Sequence, residues 1–177
     1  EAAGLPLLSP AQRDPLRTST YGVGELMAAA LDLGVTRILL GLGGSATQDG
    51  GAGMLQALGA RLLDADGQPL PPGGAALRQL AQLHLDGLDP RLARVTVEVA
   101  CDVDNPLCGP RGSSAVFAPQ KGADAEGVAL LDAALAHWGA HLAQATGRPV
   151  AELPGAGAAG GMGAAALAVF AARLRPG

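Results

Sequence analysis

Aromatic side chains are scarce: two Phe, one Tyr and one Trp among 177 residues, although hydrophobic residues make up 49% of the chain. A core of stacked rings is excluded, so Leu, Val and Ala must fill the interior, and small side chains of that kind favour close packing of helices on a sheet. Lysine is scarcer still, since eleven of the twelve basic residues are Arg and Lys121 stands alone. With a net charge of -4, a pI near 5.2 and no basic stripe, the chain has no general attraction to nucleic acid or to an anionic membrane surface. A phosphate ligand would have to be held locally. No apolar run reaches the roughly 18 residues of a membrane-spanning helix, and the last one, from Met162 to Leu174, is short and Ala-rich and reads as a buried helix. Cys101 and Cys108 lack CxxC spacing and a neighbouring His, which argues against zinc and for two reduced thiols of a cytoplasmic protein. Also missing are a GxxxxGK[ST] loop, an HExxH helix and any internal repeat. No signal peptide is visible and the first residue is Glu, so the chain is expected to begin inside a longer protein.

What is present is organised around Gly41-Leu42-Gly43-Gly44-Ser45-Ala46-Thr47-Gln48-Asp49-Gly50-Gly51. A strand from Val35 to Leu40 leads into this loop and a helix from Gly53 to Gly59 leaves it. Such a turn exposes backbone N–H groups, keeps Cβ atoms out of a ligand's way and borders the positive end of a helix, which suits an anion. A tight turn also needs glycines for its own sake, and the loop alone leaves both readings open. Around it, residues 1–22 read as an irregular lead-in anchored by Leu5, Leu7 and Leu8, with Ser19 or Thr20 capping a helix that runs to Leu33 and stops at Gly34. Strands are expected at Ala60 to Asp64, Val95 to Ala100 and Ser114 to Ala118, short helical turns at Ala75 to Leu80, and a long helix from about Glu126 to Thr146, capped by Asp124 and ended by Gly147. His137 and His141 lie one turn apart on that helix, more in keeping with packing than with a metal. A second glycine cluster, Pro154 to Gly163, opens the last helix. Alternating strands and helices indicate an α/β class with a mixed or parallel sheet and functional loops at strand ends.

Three places carry candidate chemistry. Gly41 to Ala46 fits the loose GxGxxA form of a dinucleotide fingerprint, but no acidic ribose partner follows at the expected spacing. Ser45 and Thr47 can donate to an oxyanion, whereas Asp49 would repel one unless a magnesium ion bridged them, so loop and carboxylate together point to phosphate plus metal. Asp102 and Asp104 follow the clearest strand at i and i+2, a placement that suits a Mg²⁺ ligand or a base for a substrate hydroxyl, and equally a turn before Pro106. Lys121 and Arg111 follow on loops and could neutralise a transferring phosphoryl group.

Taken together, GLGGSATQDGGAGMLQALGARLLDADG, LDPRL…VEVACDVDNPLCGPRGSSAVFAPQKGA and LPGAGAAGGMGAAAL resemble the bacterial glycerate kinase family, whose sequences carry GIGGSATNDGG, ACDVxNPL, FGPQKGA and PGAGAAGGMG blocks. TSTYGVGELMAAALDLG resembles the helix preceding them, and the likeness runs in order through nearly the whole chain, with Gln48 where Asn is usual and Ala118 where Gly is usual. The resemblance implies ATP-dependent, Mg²⁺-assisted phosphorylation of D-glycerate, giving 2-phosphoglycerate in most of the family and 3-phosphoglycerate in some. It also implies two domains, one flavodoxin-like and built from both ends of a longer chain, the other an inserted α/β domain with a restriction-endonuclease-like core. Residues 1–177 are expected to be mostly the inserted domain, bordering the flavodoxin-like one, and lack the DGGEGT-like and TGEGxxDxQ-like blocks that flank it. Gly43, Gly44, Ser45, Thr47, Gly50 and Gly51 are then expected to bind nucleotide phosphate, Asp49 to sit at the metal, and Asp102, Asp104 and Lys121 to act in catalysis. D-glycerate, ATP and the second domain are the expected partners, with a homodimer left open. An isolated, non-catalytic nucleotide- or anion-binding module is the alternative reading.

Overall fold

The strands expected before the glycine loop and before Asp102 lie side by side in the computed structural model, which describes residues 2–177. In chain order, α1 (Tyr21–Asp32) leads to β1 (Arg37–Gly41), α2 (Ala52–Ala57), β2 (Arg61–Leu63), β3 (Gln82–His84), β4 (Thr96–Ala100), α3 (Ser113–Phe117), α4 (Ala125–Thr146), α5 (Ala158–Val169) and β5 (Arg173–Arg175). Single 3₁₀ turns at Leu5–Leu7, Pro10–Gln12, Gly74–Gln79, Pro90–Arg94 and Pro119–Lys121 fill the connections.

β1, β4 and β5 form a parallel sheet in the order β1-β4-β5, with Leu39 opposite Glu98 and Leu174 opposite Val99. Because all three strands point the same way, the segments leaving β1 and β4 emerge at one end of the sheet. β2 and β3 make a separate antiparallel pair, so the mixed α/β class holds as two small sheets. One face of the parallel sheet, carrying Ile38, Val97 and Val99, is buried in the core. The other carries Arg37, Leu39 and Glu98, and there Leu39 is 60% exposed.

Leu, Ala, Val and Met dominate the core as the composition requires, with Trp138 its largest fully buried side chain. α4 presents Leu131, Leu135, Trp138 and Leu142 on one face, each completely buried, and each such leucine contributes about 2 kcal/mol. Asp124 caps this helix by accepting from the Gly127 N–H at 2.8 Å, worth about 1 kcal/mol, and Gly147 closes it in the left-handed region.

Three expectations are corrected. The run from Met162 to Leu174 is not one buried helix, since α5 ends at Val169 and Arg173–Arg175 pairs with β4 as a strand. Ser114 to Ala118 is not a strand: Gly112 enters in extended conformation, Ser113 and Ser114 are buried in a first helical turn, and the Ala118 N–H closes onto the Ser114 carbonyl, making α3. Val116 and Phe117 suggested a strand by propensity alone, which tertiary packing overrides. Leu7 is no anchor either, being 60% exposed; the lead-in is fastened instead by backbone bonds from Leu5 N–H to the Gly44 carbonyl and from Ala46 N–H to the Ala3 carbonyl.

Candidate functional site

Leu42 continues the sheet by donating to the Ala100 carbonyl at 2.9 Å, and beyond it the chain turns away. Gly44 has φ of +60°, and the N–H groups of Gly43, Gly44 and Ser45 meet no acceptor among the described residues. Consecutive free N–H groups around such a turn form a concavity for an anion. A cavity of about 110 Å³ opens there, lined by Gly43, Gly44, Ser45, Val103, Phe117 and Lys121. A larger apolar cavity of about 530 Å³ adjoins it, sharing Gly43, Gly44, Ser45 and Ala159 and extending over Val23 and Met27.

Lys121 comes from the turn that follows α3 and is almost wholly buried, at 2% exposure. Its Nζ donates to Thr47 O at 2.8 Å, Gln48 Oε1 at 2.9 Å and Ser45 Oγ at 3.2 Å. Burial pushes its pKa down to about 7, against the opposing pull of the Asp49 charge. Gln48, also buried, takes a second bond on Oε1 from Ser113 Oγ and donates from Nε2 to Ser114 Oγ. The loop is thus tied to α3 through uncharged side chains and one cation.

Asp49 is equally enclosed, at 1% exposure. Its Oδ2 accepts from Thr20 N at 2.8 Å, Thr20 Oγ1 at 2.9 Å and Gly53 N at 3.2 Å, and its Oδ1 from Gly51 N at 3.2 Å. Burial raises its pKa while these four bonds work to lower it. Both oxygens are therefore spent on protein donors, and Asp49 joins the start of α1 to the start of α2. Thr20, which was expected only as a cap, is the other half of that clamp, its hydroxyl also accepting from Met54 N.

Gly50 and Gly51 line neither cavity. They sit in the packed interior, where a Cβ on Gly50 would lie 2.4 Å from Trp138 Cδ1 and one on Gly51 2.8 Å from the Ala165 Cβ. The Trp138 indole N–H donates to the Gly50 carbonyl at 2.9 Å, and the Gly50 N–H donates to the Gly160 carbonyl. Thr47 is buried with its Oγ1 unpartnered among the described residues. The second glycine cluster thereby closes on the first: Ala159, Gly160 and Gly161 all have left-handed φ/ψ at the start of α5.

Asp102 and Asp104 are exposed on the far side of Val103. They border an open depression with Cys101 and Arg175, where Asp102 Oδ1 accepts from Gly177 N at 2.8 Å and Asp104 lies 3.5 Å from the Arg111 guanidinium. The structure thus brings together Gly43, Gly44, Ser45 and Lys121, and sets the aspartate pair apart on the neighbouring rim. His137 places Nε2 2.7 Å from the Leu80 carbonyl with its ring edge-on to His141. Sequence reasoning missed Gln48 as a hub, along with Ser113, Ser114 and Trp138, because their partners lie 65 to 88 residues away; no local spacing marks them.

A sequence model described as "Glycerate kinase family" matches residues 1–177. Among curated relatives, a glycerate kinase of Bacillus subtilis (strain 168) is 53% identical over 176 residues and a glycerate 2-kinase of Escherichia coli (strain K12) 50% identical over 176, each alignment covering 99% of this chain and 46% of the relative. A crystal structure assigned as glycerate kinase 2 from Salmonella typhimurium LT2 superposes with a TM-score of 0.97 at 55% identity, covering 99% of this chain and 47% of that one. This chain spans about half the length of the curated relatives it matches.

Proposed function

This chain belongs to the glycerate kinase family, and from that premise we propose that the full-length protein transfers the terminal phosphoryl group of ATP to D-glycerate, with these residues supplying one wall of the site. The observation that carries the reading is the nest of N–H groups at Gly43, Gly44 and Ser45, free among the described residues, sharing one small cavity with the buried Lys121. Fixed donors and a nearby positive charge are what a transferring phosphoryl group needs, because its catalysis rests on positioning and charge neutralisation. The name of the Escherichia coli relative supports the 2-hydroxyl as acceptor, with 2-phosphoglycerate as product and 3-phosphoglycerate as the alternative.

Among the described residues no three His, Cys, Asp or Glu side chains gather as metal ligands. Magnesium is ordinarily held by one or two carboxylates together with phosphate oxygens and water, so the exposed Asp102 and Asp104 fit it, whereas Asp49 is enclosed with both oxygens already bonded to protein donors. Bound there, magnesium would neutralise charge developing on the phosphate oxygens. In this proposal one of the two aspartates also accepts the proton of the glycerate hydroxyl, and Asp49 serves to hold the loop in place.

The exposed face of a three-stranded parallel sheet supports the two-domain reading, since parallel sheets are covered on both faces. We accordingly place this chain as the inserted, restriction-endonuclease-like domain and its partner as the flavodoxin-like domain of a cytoplasmic protein. A second reading is an isolated nucleotide- or anion-binding module without turnover of its own, for which the N–H groups at Gly43, Gly44 and Ser45 would suffice. Calorimetry with ATP and a turnover assay on the 177-residue chain separate the two, because measurable phosphorylation by it alone sinks the module. For the kinase, a coupled assay on the full-length protein with Asp102→Asn and Asp104→Asn should show at least one falling by about a hundredfold, the usual size of a lost acid–base contribution. Near wild-type turnover in both would defeat the assignment, and NMR of the product identifies the phosphorylated hydroxyl.

A further inference from the structure

An ammonium group has three N–H donors, and Lys121 spends all three inside the protein, on Ser45 Oγ, Thr47 O and Gln48 Oε1. None is left for a ligand, although the residue lines the small cavity. The Thr47 carbonyl is also packed tightly against Gly160, where a Cβ would come within 1.8 Å of it. Gln48 is fixed in turn by Ser113 and Ser114. Lys121 is therefore built to shape the loop that bears the free N–H groups, and its charge lies 3.2 Å from the hydroxyl of Ser45, the last residue of that set.

We propose that Lys121 is a positioning residue, pinning the Ser45–Gln48 segment through its three hydrogen bonds, and that occupation of the Gly43–Ser45 nest by a dianion is linked to retention of the Lys121 proton. The inference rests on the reading of that nest as the phosphate site. With the proton in place all three bonds and the positive charge are present. When it is lost, at least one of the three acceptors loses its donor and the nest loses the cation beside it. Burial already brings this exchange near neutral pH. The charged groups around Lys121 are few: Asp49 on the same loop, itself enclosed, and Arg13 of the lead-in, whose Nη1 reaches the Gln120 carbonyl at 3.4 Å. From α3 only the neutral Ser113 and Ser114 face the network. A bound dianion favours the charged amine, so by linkage the protonated form must bind the dianion more tightly.

Inorganic sulfate, a dianion whose charge is constant over the range, is the probe, titrated calorimetrically into the full-length protein between about pH 6 and about pH 9. Its affinity is expected to fall about tenfold as pH rises through the Lys121 transition. Lys121→Met should flatten that profile, and Lys121→Arg should keep a cation yet fail to restore full affinity, because a planar fork cannot serve three converging acceptors. Should Lys121→Met not fold, Gln48→Glu decides: a carboxylate at 2.9 Å from Nζ should move the transition up by about one pH unit or more. A flat wild-type profile, absence of sulfate binding, or an unmoved transition in Gln48→Glu would each overturn the proposal. Loss of the kinase reading is separately visible: a protein that shows this profile but phosphorylates no glycerate keeps the linkage and forfeits the reaction.

Discussion

A Cβ built on Gly160 would lie 1.8 Å from the Thr47 carbonyl oxygen at a φ of +71°, whereas one built on Gly43 meets nothing within 4 Å. The two glycines are needed for different reasons, one by the folded chain and one by what the chain is proposed to hold. Gly160→Ala should cost about 3 kcal/mol or more in chemical denaturation, from overpacking against backbone together with strain at a positive φ. Gly43→Ala should stay within about 0.5 kcal/mol of wild type and yet weaken ATP binding by about tenfold or more, because its methyl group would occupy the approach to the free N–H groups. A Gly43→Ala protein that binds ATP normally would remove the nest from the site. Both glycine clusters stand out in the sequence, but which glycine serves packing and which serves a ligand depends on a neighbour about a hundred positions away, and composition is silent on that.

Among the elements, the sheet shows a charged ladder across its three strands: Glu98 on β4, its side chain 4% exposed, pairs with Arg37 of β1 and Arg175 of β5. Burial works to raise the Glu98 pKa, but the two guanidiniums outweigh it and hold the carboxyl below its ordinary value of 4.5. A depressed carboxylate stabilises the fold above its unfolded-state value and loses that contribution as pH falls through the folded one. The wild type should therefore lose thermal stability on acidification below about pH 4.5, and Glu98→Gln should melt lower at neutral pH with a shallower acid dependence. Equal acid slopes in the two proteins would show that the ladder contributes nothing. α4 and β4 were legible because a capping Asp, a terminal Gly and a β-branched run act over a few residues. β5 and α3 were not: Arg173–Arg175 is a strand through partners that β4 supplies, and α3 is packed through serines bonded to the distant Gln48.

For the molecule as a whole, Leu39 at 60% exposure on the open face of a parallel sheet is the feature on which the proposed second domain can be tested. Leu39→Asp in the full-length protein should lower stability by about 2–3 kcal/mol, the cost of placing a charge where a leucine is covered. A change within about 0.5 kcal/mol would mean that the face stays in water and would withdraw its support from the proposed second domain. The class of fold could be read from alternating elements, and the nest from its glycines, since both are written in contiguous sequence. The meeting of loop, lysine and second glycine cluster could not, because it exists only after the chain has closed on itself.

That closure carries a kinetic consequence. The loop is held by Trp138 across 88 residues, by Lys121 across 74 and by Gly160 across more than a hundred, and contacts so distant in sequence are entropically slow to form. During synthesis the Thr47–Gly50 segment lacks these partners until α5 has left the ribosome, so the proposed phosphate nest beside it is expected to reach its final shape only once that helix has arrived.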